Sequence, residues 1–137
     1  MSSDQFEVAP HNIMFITDNQ VDIKKIERAF MDIGSMECQL FTCATVDKAV
    51  EYIAQRRIAM EMIILDLRSK NVGDPLDLCK EVFEKIPDVL VMALDDKGEG
   101  NAVQAAAVKA AGVVEYIDRT QFDELVFRIK KLINTRF

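Results

Sequence analysis

An α/β domain built on a five-stranded parallel, doubly wound sheet with strand order 2-1-3-4-5 is what this sequence predicts, on three observations. Apolar runs of strand length alternate with stretches of helical period, and the alternation repeats five times. Three of those runs are almost wholly apolar, as strands covered on both faces by helices must be. Parallel strands also need long right-handed crossovers, which the intervening helices supply.

The strands are expected at Ile13 to Ile16, Gln39 to Cys43, Met62 to Leu65, Val89 to Ala93 and Val113 to Ile117. The first, third and fourth read as central, whereas Gln39 and Glu115 place the second and fifth nearer the edges. Ile23, Ile26, Phe30 and Ile33 fall on one face of a first helix, which Gly34 should stop. Thr45 caps a second helix that buries Val46, Val50 and Ile53. Asp74 and Pro75 read as N-cap and first-turn proline of a third, with Val82, Phe83 and Ile86 as its core face. The stretch NAVQAAAVKAAG offers an Asn101 cap, alanine-rich propensity and a Gly112 stop. Thr120, with Asp123 three residues on, should cap the last helix, whose stripe is Phe122, Leu125, Val126, Ile129, Leu132 and Ile133.

Composition narrows the function. The 137 residues suit one domain with a single sizeable core, residues 1–11 reading as an N-terminal tail and 12–137 as the domain. With 17 basic against 23 acidic side chains the net charge is -6, which argues against a nucleic-acid or polybasic membrane binder. Cys38, Cys43 and Cys79 lack metal-ligand spacing and read as reduced core thiols. No run approaches the roughly 18 apolar residues of a membrane span, and the first residues carry acids where a signal peptide would be basic, so a cytoplasmic address is expected. His11 reads as a surface residue of the tail, with no acid at useful spacing.

The sharpest signal is the placement of two acids. In a 2-1-3-4-5 sheet the first and third strands are neighbours, and ligands bind beyond their carboxyl ends, where the winding reverses. FITDN and ILDLR therefore bring Asp18 beside Asp66, a pair that favours a divalent cation. The first βα turn, TDNQVD, has no glycine to cradle a phosphate, which ranks a flavin- or nucleotide-binding enzyme last.

With those residues in view, the chain from Asn12 to about Asn134 resembles the receiver domain of two-component response regulators, whose strand order is called flavodoxin-like. The resemblance implies Asp66 as phosphoacceptor and Mg2+ held by Asp18, Asp66 and the Arg68 backbone carbonyl. It also implies Arg119 as the phosphoryl contact in place of a lysine, and Ala93 and Tyr116 at the two switch positions. Departures from the pattern are equally specific. Thr17 stands for the first acid of a pair and weakens the metal site, Thr120 stands for a proline, and the loop RSKNVGDP is about a residue longer. A methyl at Ala93 cannot bond a phosphoryl oxygen, so the usual coupling of hydroxyl to aromatic should be absent.

The implied function is a stand-alone receiver, not an enzyme, that conveys a phosphorelay signal by aspartyl phosphorylation. Its expected partners are a histidine kinase or phosphotransfer protein, and a downstream protein on the face of the fourth helix, fifth strand and fifth helix. The alternative is a pseudo-receiver that binds proteins without phosphorylation.

Overall fold

The computed structural model describes residues 11–33, 38–68 and 73–136. The tail before His11, the Gly34 stop and most of the loop after Arg68 lie outside the described residues. Strands β1 (His11–Ile16), β2 (Cys38–Cys43), β3 (Met62–Asp66), β4 (Leu90–Asp95) and β5 (Glu115–Asp118) alternate with helices α1 (Gln20–Ile33), α2 (Val46–Arg56), α3 (Pro75–Lys85), α4 (Asn101–Ala110) and α5 (Leu125–Arg136). All neighbouring strands pair in parallel, in the order β2-β1-β3-β4-β5. The expected sheet is therefore present, with the two polar-marked strands at its edges.

Because successive side chains of a strand point to opposite faces, the three central strands feed two cores. Met14, Ile16, Ile63, Leu65, Val91 and Ala93 pack with α2, α3 and α4 through Ala49, Val82 and Val108. Ile13, Phe15, Met62, Ile64, Met92 and Leu94 pack with α1 and α5 through Ile26, Leu125 and Ile129. None of these strand residues is more than 3% exposed, which explains why β1, β3 and β4 read as unbroken apolar runs.

Local signals mostly hold. Thr45 accepts from the Lys48 amide, and Asp74 accepts from the Leu76 amide with Pro75 in the first turn. The stripe of α5 is buried as read from its spacing, apart from the half-buried Leu132. Two caps differ. Asn101 is the first residue of α4, the N-cap position being Gly100. The chain enters α5 through a 3-10 segment, Arg119–Glu124, capped by Asp118 in a reciprocal box with Gln121. Thr120 is not the cap; its hydroxyl donates to Asp118, and this bond holds the Asp118 carboxyl below its ordinary pKa.

His11 also differs from expectation. It opens β1, and its Nδ1 lies 2.7 Å from Glu61 Oε2. The acid comes from 50 residues along the chain, a distance that no reading of local spacing spans. The cysteines are free thiols, Cys79 buried and Cys38 and Cys43 half-buried. Burial raises the Cys79 thiol to about 11.

Candidate functional site: an acidic cleft at the switch point

Strands β1 and β3 are neighbours whose following helices lie on opposite faces of the sheet, and this divergence opens a crevice at their carboxyl ends. Asp18, Asn19, Asp66, Arg68, Asp96 and Arg119 line a cleft of about 400 Å³ there. The two acids singled out in the sequence thus share one cleft, and Arg119 joins them from the end of β5.

Asp66 is the most constrained of these groups. It is only 1% exposed, and a carboxylate so far from water must be bonded to remain charged. Its Oδ2 accepts from the Thr17 hydroxyl at 2.7 Å. Its Oδ1 accepts from the Arg68 amide at 2.9 Å and lies 3.0 Å from Arg119 Nη2. The Thr17 hydroxyl in turn accepts from the Asn19 amide at 3.0 Å, so the residue that replaces an acid ties the β1 turn to β3.

Arg119 is held by three carboxylates. Its Nε donates to Asp22 Oδ2 at 2.8 Å, its Nη2 sits between Asp22 and Asp66, and its Nη1 reaches Asp96 Oδ1 at 2.6 Å. Burial alone would lower the guanidinium pKa, but the bonds to Asp22 and Asp66 outweigh it and raise the value above that of an ordinary arginine. The planar fork matters here, since a lysine ammonium is a single point that cannot align with carboxylates spread around it. Asp22, buried in the first turn of α1, was not singled out from the sequence. Its position before Ile23 and Ile26 looks like ordinary helix N-terminal acid, and only the fold brings Arg119 to it.

The end of β4 changes one expectation. Ala93 pairs with Leu65 and Tyr116 inside the sheet and is fully buried in the α4-side core, short of the cleft. The strand runs two residues beyond the expected end, so the residue on the same face at its tip is Asp95. Tyr116 donates its hydroxyl to Asp95 Oδ2, and Asn101 Nδ2 donates to the Tyr116 oxygen at 2.6 Å. Arg68 Nε reaches Asp95 Oδ1 at 2.5 Å. The strand end was expected at Ala93 because Asp95-Asp96 turns polar and looks like loop. The hydroxyl of Tyr116 is thus bonded to a carboxylate at the tip of β4.

Among the described residues no three His, Cys, Asp or Glu side chains converge to cage a metal ion. Magnesium requires less, since one or two carboxylates suffice and water completes its octahedron. Asp18 and Asp66 with the Arg68 carbonyl match that donor set in kind. Thr17, beside them, brings a neutral hydroxyl that donates to Asp66.

No protein-family model matches this chain, and no curated protein does. Solved structures do. A response regulator from Thermotoga maritima superposes with a TM-score of 0.72 at 20% identity, over 93% of this chain and 99% of that one. The response regulator domain of Thermotoga maritima CheB gives 0.70 at 16% identity, over 91% and 97%. The response regulator RcsB of Salmonella typhimurium gives 0.75 at 14% identity, over 93% of this chain and 61% of that longer one. Agreement in strand order, crossovers and length at such low identity is agreement of fold, and the fold of this chain is that of the response-regulator receiver domain.

Proposed function

We propose that this protein is a receiver module of a phosphorelay, with Asp66 as the phosphoacceptor. The observation that carries the reading is the Asp66 carboxylate at the tip of β3, sharing the switch-point cleft with Asp18 and lying 3.0 Å from Arg119. A phosphohistidine on a kinase or phosphotransfer partner is the donor that such a relay supplies. An Asp66 oxygen attacks phosphorus in line, the P–N bond breaks, the electron pair leaves with the imidazole nitrogen, and an acyl phosphate remains on Asp66.

Each neighbour has a part in that step. Thr17 and the Arg68 amide fix the carboxylate by hydrogen bonds. Arg119 carries a permanent positive charge beside it and offsets the repulsion between carboxylate and anionic phosphoryl group. Asp18, Asp66 and the Arg68 carbonyl would hold Mg2+, which supplies charge neutralisation for transfer. The downstream contact is assigned to α4, β5 and α5, where Val103 is 77% exposed beside the exposed Ala102 and Ala106.

The second reading, a pseudo-receiver, is favoured by one observation. Thr17 stands where an acid would and donates to Asp66, whose carboxylate is already satisfied by neighbours. Intact-mass spectrometry with magnesium and acetyl phosphate separates the two. A single phosphoryl adduct, abolished by Asp66→Asn and greatly reduced by Asp18→Ala, supports the receiver. A folded protein that forms no adduct supports the pseudo-receiver.

A further inference from the structure

The two edges of the sheet are unlike. β5 is short and carries acids at both ends, Glu115 and Asp118, the first of them accepting from Arg128 at 2.6 Å. β2 runs for six residues, CQLFTC, without a charge, a proline or a glycine. Exposed edge strands are ordinarily guarded by charges, prolines or bulges, because their free N–H and C=O groups accept another strand. Which groups are free follows from one bond. The Thr17 amide donates to the Cys43 carbonyl at 2.9 Å, so Cys43 turns its backbone groups toward β1, as Phe41 and Gln39 then do by the alternation of a parallel ladder. Cys38, Leu40 and Thr42 turn theirs outward, and among the described residues no strand lies beyond them.

We propose that β2 pairs antiparallel with β2 of a second copy of this chain, about a two-fold axis at Leu40, so that two five-stranded sheets join into one. The outward-facing residues are symmetric about Leu40. Leu40 lies opposite itself and Cys38 opposite Thr42 of the other copy, each pair exchanging both backbone bonds. A two-fold contact uses the same edge on both copies and closes at the dimer, whereas β2 against β5 of another copy would leave a free edge at each end. Charge selects the same edge. Each chain carries a net charge of -6, and β5 against β5 would set acids against acids, while β2 itself brings none to the contact. The surroundings are apolar as well. Leu40 is half-buried on the α1 face of the sheet. Met31 of α1 is 80% exposed and lies two residues on from Ala29, which lines the groove shared with Phe122. At 3.6 residues per turn Met31 is therefore nearly opposite Ala29, on the flank of α1 turned away from Phe122 and toward the sheet edge. On the other face Phe41, half-buried with its ring 5.5 Å from that of Tyr52, would cover Gln39 of the other copy. Such a contact is small against the roughly 1,200–2,000 Å² of stable complexes, so the dimer should dissociate on dilution.

The inference does not depend on phosphorylation of Asp66, and its test needs neither phosphoryl donor nor magnesium. Sedimentation velocity of the full chain, from micromolar to millimolar concentration, should show a monomer–dimer equilibrium, and the variant Thr42→Pro should remain monomeric throughout. Proline there removes an N–H that points outward and leaves the ladder to β1 intact, which circular dichroism checks. Monomer at every concentration in the unmodified chain, a dimer that survives in Thr42→Pro, or a series of ever larger species overturns the proposal. Should Thr42→Pro not fold, Thr42→Cys decides. Mild oxidation should link position 42 to Cys38 of the other copy, since an antiparallel bonded pair holds the two Cα atoms about 5.5 Å apart, within disulfide reach. A folded Thr42→Cys protein in which peptide mass spectrometry finds no such link between copies overturns the proposal as well.

Discussion

Arg119 concentrates the electrostatics of the cleft in one side chain, because it answers Asp22, Asp66 and Asp96 at once. Asp22 and Asp66 are 3% and 1% exposed, so removing the guanidinium strands two buried charges, whereas Asp96 would simply turn to water. Arg119→Ala should therefore destabilise the fold by about 3–5 kcal/mol or more, read as a lower urea midpoint at unchanged slope. Tyr116 gives a second test. Burial, then the bond to Asp95, raises its phenol from 10.0 to about 12. A raised folded pKa means the folded state holds the proton more tightly. The stabilisation is thus complete below pH 10, declines above it, and is lost as pH passes about 12. In a Tyr52→Phe protein, where Tyr116 is the remaining tyrosine, the tyrosinate absorbance should rise with a midpoint near 12. A midpoint at 10 would show that neither the burial of the phenol nor its bond to Asp95 persists in solution. At this scale Asp18 and Asp66 stand out in the sequence because each sits where an apolar run meets a polar one, whereas Arg119 and Tyr116 are marked only by their places in the receiver pattern. Asp22 and Asp95 stayed hidden: their importance lies in partners 97 and 21 residues away.

Elements were legible where a local signal coincides with the tertiary demand. The Thr45 and Asp74 caps are such cases, and so is the Gly112 stop after α4. Gly112 has φ of 122°, and a Cβ built there would meet the Phe83 ring at 3.1 Å. Gly112→Ala should cost more than about 1 kcal/mol, because the backbone is strained for any L side chain and the ring of α3 must also give way. Thermal unfolding would show it as a lower Tm, with Gly73→Ala, whose added Cβ meets nothing, as the comparison. Strand ends were less legible. The pairing Asp66↔Leu94 carries β4 past Ala93, and Asp95↔Asp118 holds its tip against β5. Hydrogen bonds of the ladder override the polarity of the side chains, and no single-strand pattern reports that. The last turn before α5 was misread for a related reason: Thr120 and Asp118 are both able caps, and the backbone places Asp118 at the N-cap.

The two cores divide the molecule into two sides. On one, α1 and the 3-10 segment before α5 bring Asp22 and Arg119 against Asp66; on the other, α4 meets Tyr116, which bonds to Asp95. The sheet between them makes β3 and β4 the shared wall, and Arg68, just beyond β3, bonds to both sides. Whole-molecule topology was the most legible level, since five alternations of strand and helix leave few right-handed arrangements. A partner that recognises α4 should be lost on Val103→Glu with the Tm unchanged, because that side chain is 77% exposed and supports no core. Retained capture by this variant, measured by calorimetry with the cross-linked and identified partner, would move the contact to another face. Whether Asp66 receives the phosphoryl group is decided by chemical trapping. After exposure to acetyl phosphate and magnesium, borohydride reduces an aspartyl phosphate to homoserine, and peptide mass spectrometry locates the converted residue. Homoserine is expected at position 66 alone; conversion at Asp18, at Asp22 or at no position in a folded protein would show that Asp66 is not the phosphoacceptor.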